Sequence, residues 1–171
     1  MQPSALKIIF IQTGGTIDKD YPKRTKGCGF EISEPAVERI LKKLNPDFQY
    51  EIIPLLQKDS LDLTEDDRKK IYDTCVQSAG EKFIITHGTD TLIETARFLS
   101  SIKNKLIVLT GSSRPEKFSD SDAQINIGVA LGAVHSLENG IFIAMSGRVF
   151  SWDDVIRNPE TGQFVEKKSN M

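Results

Sequence analysis

Cysteine is scarce in this chain. The 171 residues include two, Cys28 and Cys75, too few for a disulfide framework, and no spacing typical of zinc ligands appears. An excess of one charge is also missing. Lys and Arg number 22 against 24 Asp and Glu, for a net charge of −2, so nothing draws the chain generally to nucleic acid or an anionic membrane. No apolar run approaches the roughly 20 residues of a membrane span. The opening MQPSALKIIFIQTGG has no basic region before its apolar run and no small-residue cleavage site. It reads as a strand rather than a signal peptide, which makes the cytoplasm the expected compartment. Internal repeats, low-complexity tracts and clear linkers are absent too. What is present is 39% hydrophobic and 27% charged residues, the balance of a folded globular chain long enough for one domain with a real core.

Strand-length apolar runs alternate with segments of helical period. The expected strands are Leu6–Gln12, Phe48–Pro54, Lys82–Thr86, Lys105–Thr110 and Ile141–Ser146. All but the second are near-continuous apolar runs, as strands covered on both faces are. The expected helices are Glu34–Leu44, capped by Ser33 with Pro35 in the first turn; Glu65–Ala79, capped by Thr64; Thr91–Ile102; and a helix from Asp120 or Ser121 to about Leu137. The stretch from Arg148 onward reads as a short strand, a loop and a tail. A β-α-β-α-β-α-β-α-β order argues a mostly parallel sheet with helices on both faces, a three-layer α/β fold.

Ligands of open α/β sheets bind beyond the carboxyl ends of the strands. Those ends read TGGTID, LLQKDS, THGTDT, TGSSRP and MSGRVF in chain order. Hydroxyls, small residues and one central aspartate, Asp90, collect along one edge. TGGTID lacks the spacing of the phosphate-binding glycine loops, so its glycines either make a plain turn or display a hydroxyl for chemistry. In THGTDT, Asp90 suits the positive end of the following helix. His87 reads first as a packed, hydrogen-bonded residue and second as a catalytic one, and His135 still less as catalytic.

TGGTID, THGTDTLIETA and TGSSRP, in this order and spacing, resemble the bacterial-type L-asparaginases, and Ser119–Gly132 resembles the helix that follows in that family. The resemblance implies a flavodoxin-like sheet like the family's N-terminal domain. It implies hydrolysis of a small side-chain amide, asparagine first, without metal or organic cofactor. Thr16 takes the place of the attacking threonine, beside Gly15. Thr89 and Asp90, beside Gly88, form the second hydroxyl-activating group, and Asp90 also holds the substrate ammonium. Gln57 and Lys58, before Asp59, fall where the family grips the substrate carboxylate, and Ser113 lies in the loop after the fourth strand.

The departures from the family pattern are specific. The family lysine falls at Arg157, whose guanidinium stays protonated but can still hold Asp90 by charge. The family tyrosine falls near Phe30, which has no hydroxyl, with Tyr21 on the same loop as a substitute. The family carries a second α/β domain, whereas residues 1–171 read as a single domain. A site closed by a neighbouring copy is therefore expected, in a homodimer or larger homo-oligomer. Two rival readings remain open at this point: a catalytically weakened domain that binds an amino acid or a partner, and one subunit of an amidotransferase.

Overall fold

The computed structural model describes residues 7–23 and 29–167; Leu6 and Cys28 lie outside them. Ten strands and four α-helices make up the described chain. The strands are β1 (Lys7–Gly14), β2 (Lys19–Asp20), β3 (Glu31–Ile32), β4 (Gln49–Lys58), β5 (Lys82–Thr86), β6 (Leu106–Thr110), β7 (Gly140–Met145), β8 (Arg148–Ser151), β9 (Val155–Arg157) and β10 (Phe164–Glu166). The helices are α1 (Ala36–Leu44), α2 (Glu65–Gln77), α3 (Leu92–Leu99) and α4 (Ala123–Ser136).

The main sheet has six strands in the order β4-β1-β5-β6-β7-β8. The first five run parallel and β8 adds antiparallel to β7 at one edge. Taken in chain order, the parallel strands stand 2-1-3-4-5, the flavodoxin-like arrangement. The continuous apolar runs of β5, KFIIT, and β6, LIVLT, are the inner strands, buried on both faces. β4 carries exposed and half-buried residues throughout, and its Pro54 is tolerated because an edge strand can lack a ladder donor.

Alternation along β1 divides the core. Ile9 and Ile11 face α2 and α3, packing with Ile71, Cys75, Leu92, Ala96 and Leu99. Ile8 and Phe10 face α1 and α4, packing with Val37, Leu41, Ile127 and Val134. Two helices therefore cover each face. Burying each such large side chain stabilises the fold by about 1.5–3 kcal/mol before entropy is charged against it. Cys75 serves as a small core hydrophobe, and burial pushes its thiol up to about 12.

Several boundaries differ from the sequence expectation, among them the end of β4, which runs on to Lys58 past Pro54, and the start of α4, at Ala123. α1 begins at Ala36, with Pro35 outside its first turn, and Ser33 does not cap it. Asp18 Oδ1 accepts the Ala36 N–H at 2.7 Å instead, so the cap comes from the turn after β1. α3 stops at Leu99, where a tight turn through Ser100 takes over. The expected tail is ordered into two antiparallel pairings, β7–β8 and β9–β10. The Thr64 cap of α2 is as expected and forms a full capping box with Asp67.

Candidate functional site at the switch point

β1 is flanked by β4 and β5, so the chain leaves it in one direction and returns on the other side. A crevice opens at the carboxyl ends of such strands. β1 reaches it through a register shift between Gln12 and Gly14, and Gly14 and Gly15 then take φ of +111° and +85°. L side chains rarely adopt that conformation. Space decides the matter as well: a Cβ on Gly15 would stand 2.3 Å from the Gly88 nitrogen, and one on Gly88 2.6 Å from Ser60 Oγ. The turns after β1, β4 and β5 thus meet backbone to backbone. The Thr13 hydroxyl donates to Thr86 O at 2.8 Å, Gly15 N–H to Lys58 O at 3.0 Å and the Thr91 hydroxyl to Ser60 O at 2.7 Å.

Thr16 and Thr89 each follow one of these two touching glycines, and both are half-buried. Asp90 is exposed beside Thr89 and is ion-paired with the Arg157 guanidinium. Arg157 reaches it from the end of β9, paired with Phe164 of β10, and its Nε donates to Gly162 O at 3.2 Å. A segment expected to be irregular therefore presents a cation to the site.

His87 is fully buried. Its Nδ1 lies 2.7 Å from Gly88 O, which requires a proton on Nδ1. Its Nε2 then accepts from the Thr95 hydroxyl at 2.8 Å, and Thr95 Oγ1 accepts from Arg68 Nε at 3.1 Å. Burial lowers the imidazole to about 4, so the ring is neutral and serves to pin the Gly88 carbonyl.

Gln57, Lys58 and Asp59 line a groove of about 550 Å³ together with Lys19, Phe30 and Ile32. Their polar ends are engaged. Lys58 Nζ is 2.7 Å from Asp67, Asp59 pairs with Lys19 at 2.9 Å, and Gln57 Nε2 donates to Ser33 O at 3.3 Å. Tyr21 is 72% exposed and packs on Phe30 with ring centroids 5.1 Å apart; Phe30 in turn meets Phe118 at 5.6 Å. The two candidates for the tyrosine position are neighbours. Ser113 is exposed, and its N–H is held by both oxygens of Asp122 at 2.9 and 3.0 Å.

Sequence reasoning passed over Gln12 and Asp18, both 1% exposed and directly behind the Thr16 turn. The acid that closes TGGTID was the available signal. It also passed over Arg68 and Thr95, which fix the His87 tautomer from 19 and 8 residues away in sequence. Among the described residues, no group of three or more His, Cys, Asp and Glu is arranged to hold a metal, and no helix is long and apolar enough to cross a membrane.

Residues 7–160 match the family model described as "Asparaginase, N-terminal". A glutaminase-asparaginase of Acinetobacter glutaminasificans is 29% identical over 94% of this chain and 53% of its own length. An L-asparaginase of Bacillus licheniformis is 30% identical over 85% of this chain and 48% of its own. The solved structure of the thermostable L-asparaginase from Thermococcus kodakarensis superposes with a TM-score of 0.81 at 26% identity, covering 94% of this chain and 51% of that one. The chain thus spans about half the length of the relatives it matches. With the flavodoxin-like sheet and the three motif-bearing turns in register, these matches establish that the chain belongs to the asparaginase family, through its N-terminal domain.

Proposed function

We propose that this protein hydrolyses the side-chain amide of a small amino acid, asparagine first and glutamine second, releasing ammonia. Thr16 Oγ attacks the amide carbon, and the proton it gives up leaves with the amine as ammonia. Water then cleaves the resulting threonyl ester to the free acid. A threonine hydroxyl is a weak nucleophile until a neighbour takes its proton. In this reading the Thr89 hydroxyl and the Asp90 carboxylate supply the acceptor side. Arg157 stays charged and holds Asp90 in place. Backbone N–H groups of the two glycine turns are the donors available to the developing oxyanion.

The observation that carries the reading is the contact between Gly15 and Gly88. It brings together the TGGT and HGTDT turns that carry Thr16 and Thr89, in a chain of the asparaginase family, and so supports a reading in which the two threonines act together. Lys58 offers a cation to the substrate carboxylate by exchanging Asp67 for it, with Gln57 beside it. Purified protein incubated with asparagine and with glutamine should release ammonia, and Thr16→Ala should lose at least a hundredfold in rate with its thermal transition unchanged. Ammonia release that survives Thr16→Ala would overturn the assignment of the nucleophile. No release from any small amide would overturn the reaction and favour a binding domain built on the same edge.

A further inference from the structure

Among the described residues, three buried side-chain polar atoms have no hydrogen-bond partner: Gln12 Oε1, Asp18 Oδ2 and Ser60 Oγ. Buried polar atoms in native proteins are normally paired, so each exception calls for an explanation. The serine hydroxyl carries its own proton. The other two are acceptors, and they belong to neighbouring side chains, since the Gln12 amide lies against the Asp18 carboxyl. The Gln12 amide acts on the carboxyl as a donor does, yet Oδ2 is left without a partner. Asp18 is 1% exposed, and a proton on Oδ2 spares the fold an unpaired buried charge.

Asp18 is also the peg of the nucleophile turn. It closes the 3-10 turn Thr16–Asp18, with its N–H donating to Gly15 O at 3.2 Å and its carbonyl accepting from Ser33 N–H at 2.9 Å. Its Oδ1 caps α1 through the Ala36 N–H, and Gln12 Nε2 ties the same corner to Ser33 O at 2.8 Å. The charged groups that face it are Arg39, from α1, and Glu116, from the loop after β6. These two pair with each other at 2.7 Å and oppose one another in their effect on Asp18.

We propose that Asp18 is a positioning residue that holds the Thr16 turn against α1 as a neutral carboxyl, and that losing its proton slackens the turn. For its effect on catalysis, the inference rests on the amidohydrolase reading above; its effect on stability stands without it. Burial is the largest influence on the group and raises it from 3.8 to about 7. The helix-capping N–H and the Gln12 amide oppose that rise, as does Arg39. A raised carboxyl contributes stability that is fully present below its unfolded value and lost as pH rises through its folded value. The window is therefore pH 3.8 to about 7.

Asp18→Asn isolates this proton, because its side chain is neutral at every pH while its carbonyl still caps Ala36. Urea unfolding at pH 5 and pH 8 should show the wild-type midpoint falling by roughly 1 M more than the Asp18→Asn midpoint. Equal falls in the two proteins would overturn the neutral carboxyl. Titration of the Asp18 carboxyl carbon by NMR in the wild-type protein gives the same answer without a variant: a midpoint near 7 supports the proposal, and one near 4 rejects it. In the ammonia assay, the ratio of Asp18→Asn to wild-type kcat should rise at least threefold from pH 6 to pH 8.5 at constant KM. A flat ratio would remove the link to the Thr16 turn. If wild-type protein releases no ammonia, the amidohydrolase reading fails, and the stability and NMR results still decide the proton.

Discussion

Asp67→Asn measures how firmly the Lys58 side of the site is built. Asp67 accepts from Lys58 Nζ at 2.7 Å, from the Thr64 N–H at 3.0 Å and from the Thr64 hydroxyl at 2.9 Å. These bonds, the one from Lys58 first, hold its carboxyl down from 3.8 to about 2. At about 1.4 kcal/mol per pH unit, that drop corresponds to about 2.5 kcal/mol. Lys58 is 41% exposed, so solvent screens part of the ion pair and about 2 kcal/mol is the better expectation. The asparagine keeps an acceptor for Thr64 but loses the charge.

A depressed carboxyl contributes stability that is present above its unfolded value and lost as pH falls through its folded value. The gap between wild type and Asp67→Asn should therefore be full at pH 7, about half as large near pH 3 and almost gone by pH 2. Urea denaturation at pH 7, 5 and 3 reads it directly. Thr64→Ala is the control, costing about 1 kcal/mol for a lost cap. A gap that stays constant from pH 7 to pH 3 would show that packing, not charge, holds this corner, and would refute the argument.

Arg157→Lys keeps a cation on Asp90 but gives up the bond to Gly162 O. If Arg157 serves only as a charge on Asp90, ammonia release should hold within about threefold, because lysine supplies the same charge. A tenfold fall would mean that the planar guanidinium itself holds the loop or the substrate. Gly15→Ala meets both a φ of +85° and the Gly88 backbone at 2.3 Å. It should lose roughly 2 kcal/mol or more in chemical denaturation, and a loss below about 0.5 kcal/mol would deny that the two turns touch.

The parallel sheet was legible because its inner strands are apolar on both faces: IIFI of β1, KFIIT of β5 and LIVLT of β6 announce themselves without reference to any other part of the chain. The start of α2 was legible for the same reason, since Thr64 and Asp67 cap it from three residues apart. The start of α1 was not. Its cap is Asp18, 18 residues upstream, and only the folded turn brings it there. The short strand expected from Arg148 is β8, but β9 and β10 were hidden because each is three residues long, and their order comes from pairing rather than local pattern.

The same division runs through the site. Thr16, Thr89 and Asp90 could be placed on one edge because a motif after a strand fixes where its backbone ends. The family resemblance set Arg157 against Asp90 from 67 residues away, but other partners could not be placed, because each comes from elsewhere in the chain, as Arg68 comes to Thr95 from 27. Partners decide charge and availability. Lys58 reads as a free cation in sequence, yet in the fold its ammonium already holds Asp67. Any substrate carboxylate must then compete with a carboxylate held at about 2, one that does not give way by protonation at neutral pH. Ligand affinity at this position is consequently a difference between two ion pairs, smaller than either alone. If Lys58 binds substrate, Asp67→Asn should tighten the binding of a carboxylate ligand even as it destabilises the fold.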